Sequence, residues 1–252
     1  MQLALRIAFA LLATFALSAA SATELTPHRA EYKVQISVVT GQLNTELKAT
    51  EDGYVATHVV KPTGLSRVIS SGQMLVTSTF APVADGVRPL SYRAVDTIRD
   101  EPEAIITFDW STNMASGTVG AVPVEFQLDG RSHDAVSIQY ELMHDLLNGQ
   151  HSDSYVLFDV EKMRVANIRE TGKKTVKTPA GKYDVVGIQH QKEGSSRVTT
   201  LWCAPELDYL PVVIEQHRKG KRKFRATLTR YRPLPIPDQT PGETTTQAHR
   251  PR

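Results

Sequence analysis

Residues 134–147 read DAVSIQYELMHDLL and predict one amphipathic helix in the middle of the chain. Ile138, Leu142 and Leu146 recur at a helical interval, which places their side chains on one face. The leading aspartate suits an N-cap, and the Asn-Gly pair that follows favours a left-handed helix end. The rest of the chain has the pattern of strands, so we expect a sheet with one inserted helix.

Short segments of alternating apolar and polar residues lie on both sides of this helix. Tyr32 and Val34 alternate with polar neighbours, which is typical of a half-buried strand. Residues 41–42 (Gly-Gln) predict the first turn, and residues 51–53 (Glu-Asp-Gly) predict a hairpin. Such segments number on the order of a dozen, too many for a flat sheet. We therefore predict an all-β fold, an antiparallel barrel or a curved half-barrel with one inserted helix.

The first 22 residues have the pattern of an export signal. Arg6 precedes the apolar residues 7–17, and residues 20–22 (Ala-Ser-Ala) form a small-residue cleavage site. No later stretch approaches the ~20 apolar residues that a transmembrane helix needs. We therefore expect a cleavable signal peptide over residues 1–22, a periplasmic protein, and no transmembrane segment after cleavage.

The mature chain is predicted to be one domain with a tail. Apolar residues make up 40% of the sequence, enough for a core, and Cys203 is the only cysteine, so no internal disulfide forms. Removing the leader takes away one arginine and no acid, which lowers the formal net charge from +2 to +1. Nucleic-acid-binding proteins usually carry a strong excess of basic residues, so a net charge near zero argues against generic nucleic-acid binding. We expect a single barrel-like domain over residues 23–232 and a disordered, proline-rich tail over residues 233–252.

Two stretches in the second half carry a resemblance to a known family. Residues 178–186 read TPAGKYDVV, and residues 201–215 read LWCAPELDYLPVVIE. With these motifs the sequence resembles an uncharacterised bacterial envelope family, the domain of unknown function numbered 3108 (DUF3108). The resemblance implies an exported, β-rich, barrel-like domain and supplies no catalytic residues.

Three aromatic residues are candidates for ligand binding. Trp202 and Tyr209 flank a bend, and Trp110 ends an earlier strand segment. Aromatic side chains stack on sugar rings and line acyl pockets, so these residues are candidate contacts for a lipid or a glycan. The alternative is that they are core residues, with Pro205 and Pro211 fixing the bend.

Residues 218–225 form the most concentrated run of charge and are predicted to be a hairpin tip. The basic residues in this run are Arg218, Lys219, Lys221, Arg222, Lys223 and Arg225. Such a tip can dock on the phosphates of lipid headgroups or on another envelope polyanion. The alternative is a solvated hairpin whose charges oppose aggregation. Nucleic-acid binding is not predicted, because only Phe224 is available there for base stacking.

Motifs of catalysis and of metal binding are absent from the sequence: it has no H-E-x-x-H, no C-x-x-C and no G-x-S-x-G. We predict no catalytic residue, no cofactor and no metal. The first hypothesis is a non-catalytic periplasmic binding protein for an amphipathic envelope ligand (lipid, lipoprotein or glycan), with the helix as a lid or plug. The second is a scaffold that meets envelope proteins through the basic hairpin and the tail. The third is an envelope hydrolase.

Overall fold

The computed structural model describes residues 24–69, 71–150, 152–159 and 162–235. Their strands form one sheet of fifteen strands. The strands of the first half are β1 (His28–Ile36), β2 (Val39–Thr50), β3 (Gly53–Pro62), β4 (Met74–Val83), β5 (Gly86–Asp96), β6 (Glu101–Asp109), β7 (Met114–Val119) and β8 (Val122–Gln127). The strands of the second half are β9 (Ser132–His133), β10 (Ser154–Asp159), β11 (Lys162–Thr178), β12 (Gly181–Lys192), β13 (Arg197–Ala204), β14 (Leu210–Arg218) and β15 (Lys221–Pro233). The helices are α1 (Ser66–Ile69) and α2 (Ser137–Leu147).

Each half of the sheet is a meander, and the two halves join where the first and last strands pair. The strand order is β8-β7-β6-β5-β4-β3-β2-β1-β15-β14-β13-β12-β11-β10-β9. All the pairs are antiparallel except the short parallel contact of β9 with β10. The two edges, β8 and β9, follow each other in the chain without pairing, so the sheet is not closed. The all-β prediction is confirmed, and its open alternative is the one observed.

The sheet curls around α2, because this helix touches strands of both halves. Tyr140 stacks on Phe80 of β4, with 5.1 Å between ring centroids, and belongs to the main apolar core. Leu142 and Leu146 pack into a second cluster that includes Cys203 of β13. The helix therefore lies inside the curled sheet, in the position that a plug would occupy.

The helix begins three residues later than its sequence pattern predicts. It starts at Ser137, and the Asp134 carboxylate accepts hydrogen bonds from the backbone N–H groups of Val136 (2.7 Å) and Ser137 (2.8 Å). The other oxygen of Asp134 accepts the hydroxyl of Ser78 on β4 at 2.6 Å. Asp134 thus satisfies backbone donors just before the helix and ties this turn to the sheet. At the other end Gly149 is left-handed, as predicted, with a φ of 64°.

The prediction of the first turn at residues 41–42 is wrong. The turn lies at residues 37–38, where Ser37 is left-handed, and Gly41 lies within β2. Gly41 pairs with Pro62 of β3, and a Cβ there would approach the carbonyl oxygen of Lys61 to 2.9 Å. Gly41 permits a close approach of two strands. In the sequence alone, a glycine in this role cannot be told from a glycine in a turn.

Both predicted chain ends extend beyond the described residues. The predicted signal peptide over residues 1–22 lies outside them, as do residues 236–252 of the predicted tail. Strand β15 runs to Pro233, and the backbone N–H of Leu234 donates to the carbonyl of Pro27 at 2.8 Å. Within the described ranges, neither helix is long and apolar enough to cross a membrane.

Candidate functional site

An apolar cavity of about 490 Å³ lies between α2 and the inner face of the second half of the sheet. Its lining is mostly aliphatic and comes from α2 and the residue Ala135 before it, from strands β10 to β15, and from Met74 of β4. The apolar lining residues are Met74, Ala135, Ile138, Leu142, Leu157, Ala166, Ile168, Ile188, Leu201, Ile214 and Phe224. The polar lining residues are Gln139, Tyr155, His190, Thr199 and Gln216. This volume and this mixture are typical of a small-molecule site.

The register of three neighbouring strands builds the apolar wall. Ile188 of β12 is opposite Leu201 of β13, which is opposite Ile214 of β14. Directly opposed residues share a face of the sheet, so these three side chains form a row that points at the helix. Ile138 and Leu142 of α2 close the cavity on the other side. A chain-like apolar ligand would therefore contact hydrocarbon on both sides.

A buried ionic network holds the adjoining side of α2 against the sheet. The guanidinium of Arg131 donates to the carboxylates of Glu141 and Asp145, which lie one helical turn apart, the contact to Asp145 being 2.6 Å. The second oxygen of Glu141 accepts the backbone N–H of Val87 on β5 at 2.6 Å. The fit is close, because a Cβ on Gly86 would lie 2.3 Å from that oxygen. Glu141 thereby links the helix to the first half of the sheet.

Tyr155 of β10 connects this network to the cavity. Its hydroxyl donates to Asp145, and its side chain also lines the cavity. The Arg131 guanidinium lies 5.5 Å from the centre of the Tyr155 ring, and the ring of His133 meets it edge-on at 5.9 Å. The position of the helix wall is therefore fixed by charged groups outside the cavity.

Burial controls the protonation of this network. It raises the pKa of Glu141 to about 7, against the lowering effects of the Val87 N–H and of Arg131. Burial, with the charge of Arg131, lowers the pKa of His133 to about 3, so this imidazole is neutral at pH 7. The side chains of Glu141 and Asp145 are each only 1% exposed, which keeps both carboxylates from a substrate in solution. The network therefore positions the helix.

Acidification from pH 7 to pH 5 should destabilise the protein. Burial also lowers the pKa values of His58 and His190 to about 4. Between pH 6.5 and about 4 the unfolded chain binds protons at these histidines and at His133 while the folded protein does not, so stability falls as pH falls. Glu141 opposes this, because its raised folded pKa makes the folded state take up a proton first.

With these pKa values the three histidines and Glu141 together give an expected net loss of about 3 kcal/mol between pH 7 and pH 5. Urea unfolding at pH 7, 6 and 5 measures this loss. His133→Gln should make the dependence on pH shallower, because the variant lacks one of the three groups. Stability that stays constant or rises toward pH 5 would contradict this account of the histidines.

The aromatic residues predicted to bind a ligand lie outside the cavity. Trp202 lies on the other face of β13 from Leu201, with the Lys174 ammonium 3.3 Å from its ring centre. Tyr209 is left-handed, with a φ of 59°, and packs against the second apolar cluster. Trp110 donates its indole N–H to the carbonyl of Pro89 at 2.7 Å and packs on the main core. Their role in binding stays a prediction.

The predicted basic hairpin joins β14 to β15. Lys219 and Gly220 form the turn, both left-handed, with φ values of 49° and 73°. Arg218 to Lys223 are exposed, whereas Arg225 is half-buried and its guanidinium donates to Glu215 at 2.9 Å. The tip thus presents a cluster of cations to solvent.

Comparison with known proteins identifies a family and a fold. Residues 29–228 match the family described as "Protein of unknown function (DUF3108)". A beta-barrel-like protein of the DUF1849 domain of unknown function from Brucella abortus matches with a TM-score of 0.60 at 14% identity. That match covers 85% of this chain and 100% of the other, and at this identity it shows the fold alone.

A candidate lipoprotein from Parabacteroides distasonis gives a TM-score of 0.31 at 10% identity, over 84% of this chain and 96% of the other. This score is too low to indicate a shared fold. None of the curated proteins compared with the chain is significantly similar to it.

Proposed function

Starting from the premise that the chain belongs to DUF3108, a family of unknown function, we propose that it is a non-catalytic periplasmic binding protein for an amphipathic envelope ligand. The ligand is a lipid, a lipoprotein or a glycan with an apolar part. The cavity between α2 and strands β10 to β15 carries this proposal, because it offers about 490 Å³ with an aliphatic wall on either side. The export signal in the sequence supports the periplasmic location.

The helix supports a role in holding a ligand. It forms one wall of the cavity, and its adjoining side is bound to the sheet by Arg131, Glu141 and Asp145. A wall held in this way is ordered before a ligand arrives, and such preorganisation lowers the entropic cost of binding. In this proposal α2 is a fixed wall, and the apolar part of the ligand packs on Ile138 and Leu142.

The basic hairpin has a place in the same function. Arg218 pairs directly with Arg197 of β13, so the cationic tip continues along the strands that form the cavity wall. Arg218, Lys219, Lys221, Arg222, Lys223 and Arg225 are proposed to bring the protein to an anionic membrane surface. Anionic vesicles should then bind the protein more weakly as salt increases, since exposed charges are screened.

Native mass spectrometry of protein purified without detergent from its own cells tests the proposal. We expect a bound lipid or glycolipid in near-stoichiometric amount, released by solvent extraction. The same protein, after extraction, should bind added dodecan-1-ol or dodecanoate at one site. A clean apo mass together with no binding of either added alkyl chain would overturn the proposal.

A further inference from the structure

Side chains on the cavity face of four neighbouring strands change from apolar to basic toward one end. Alternate residues of a strand share a face, so each strand contributes a column of three. The columns are Ile168, Ala166 and Arg164 on β11, Ile188, His190 and Lys192 on β12, Leu201, Thr199 and Arg197 on β13, and Ile214, Gln216 and Arg218 on β14. The strand register aligns the columns of β12, β13 and β14 row by row, whereas the column of β11 is displaced by one row, with Ile168 opposite His190 and Ala166 opposite Lys192. All four columns end in arginine or lysine on the same side.

A second cavity of about 370 Å³ occupies the basic end of this gradient. It shares His190, Thr199 and Gln216 with the apolar cavity, so the two spaces adjoin across one row of polar side chains. The remaining residues that line it are Arg164, Lys192, Glu193, Gly194, Ser195 and Arg197. Together the two cavities suit an amphiphilic ligand, with its apolar chain in the first cavity and its polar head in the second.

The charges of the second cavity favour an anionic head. Arg164, Lys192 and Arg197 face it, and Glu193 is the one acidic side chain among its described lining residues. Nδ1 of His190 is buried at the junction and has no hydrogen-bond partner among the residues that the structure describes. Burial, with the nearby charge of Lys192, lowers the pKa of His190 to about 4, so the imidazole is neutral and can hydrogen-bond a ligand oxygen.

We propose that the ligand carries a carboxylate or a phosphate at the end of an alkyl chain. The chain lies along Ile188, Leu201 and Ile214, and the anionic head contacts Lys192 and Arg197. This inference rests on the proposed binding function and adds the charge of the head and its position. Hydrogen bonds between cationic donors and an anionic head are stronger than those between neutral groups, and a cationic head would be repelled.

Calorimetry with ligands of one chain length tests the head group. The probes are dodecanoate, dodecyl phosphate, dodecan-1-ol and dodecylamine, each below its aggregation concentration, with acetate and inorganic phosphate as heads without a chain. We expect the two anionic amphiphiles to bind about tenfold more tightly than the alcohol at low salt, and the amine to bind more weakly than the alcohol. Comparing the carboxylate with the phosphate distinguishes a fatty acid from a phospholipid-like head.

A double substitution with a matched control locates the head. Lys192→Gln with Arg197→Gln should reduce the affinity for dodecanoate to that for the alcohol and leave binding of the alcohol unchanged. Arg169→Gln with Lys182→Gln removes the same charge from exposed positions of β11 and β12 outside both cavities and should keep the preference for anions.

Each failure has a distinct signature. Equal affinity for all four amphiphiles would overturn the anionic head and leave the binding function standing. Binding of inorganic phosphate as tight as that of dodecyl phosphate would overturn the joined site, because the chain would contribute nothing. Loss of the preference for anions in the control pair would move the head to another surface. No binding of any alkyl chain would overturn the binding function, and with it this inference.

Discussion

Replacing Arg131 with alanine is expected to lower the free energy of unfolding by about 3 kcal/mol. The guanidinium of Arg131 contacts both Glu141 and Asp145, whose side chains are 1% exposed. Without the arginine two buried carboxyls lose their cationic partner, and breaking a buried pair on one side is costly. Glu141 can take up a proton, because its pKa is already about 7, and this limits the loss.

Arg93→Ala is the control for this prediction. Arg93 also pairs with a carboxylate, that of Glu103 at 2.6 Å, but both side chains are exposed. An exposed pair contributes at most about 1 kcal/mol, so this variant should unfold at nearly the same urea concentration as the parent. Adding Glu141→Gln to Arg131→Ala should recover part of the stability, since it removes one of the uncompensated carboxyls. Equal losses for Arg131→Ala and Arg93→Ala would show that the network does not hold the helix.

Replacing Leu201 with tryptophan is expected to weaken binding of dodecanoate at least about fivefold. Leu201 lies in the middle of the apolar row and points into the cavity. A tryptophan there occupies the space of the alkyl chain, and overpacking of this kind costs about 1–3 kcal/mol, or about five- to two-hundredfold in affinity. Calorimetry with dodecanoate measures the effect.

Val198→Trp is the matched control on the same strand. Val198 is an odd number of positions from Leu201, so its side chain points to the opposite face of β13. This variant should bind dodecanoate with the affinity of the parent, and both variants should keep the far-UV spectrum of a β protein. If Leu201→Trp binds normally, or if both variants lose affinity equally, the cavity is not the binding site.

Much of the fold follows from local sequence patterns. Tyr32 and Val34 alternate with Lys33 and Gln35, and in the structure the first two are buried in the core. The hairpin at residues 51–53 forms as predicted, and the helical period from Ile138 onward forms α2. Both signals depend on neighbours a few residues apart, which is why one sequence suffices for them. The choice between a closed and an open sheet depends on whether β8 pairs with β9, and no local pattern states that.

The candidate site depends on contacts that are distant in the sequence. Glu141 and Asp145 have the spacing of a solvent-facing charged pair, yet they are buried, because Arg131 lies beside both. The sequence did contain a signal for this network: two acidic residues lie one turn apart on the predicted helix, and an arginine lies shortly before it.

The gradient from Leu201 to Arg197 is invisible until the strand register aligns it with its neighbours. Trp202 stands out in the sequence, but its face of β13 is decided by alternation from Leu201. Residue type alone therefore pointed to Trp202 as a ligand contact. The strand register instead places the cavity on the face of β13 that carries Leu201.

Photo-crosslinking with a fatty acid that carries a diazirine at the end of its alkyl chain tests the central claim most directly, because it reports where the chain lies. After irradiation, fragment mass spectrometry assigns each adduct to a residue. The account predicts adducts on Ile188, Leu201 or Ile214 and on Ile138 or Leu142 of α2, all suppressed by excess dodecanoate. Adducts confined to Trp110, to Trp202 or to the chain beyond residue 235 would contradict it.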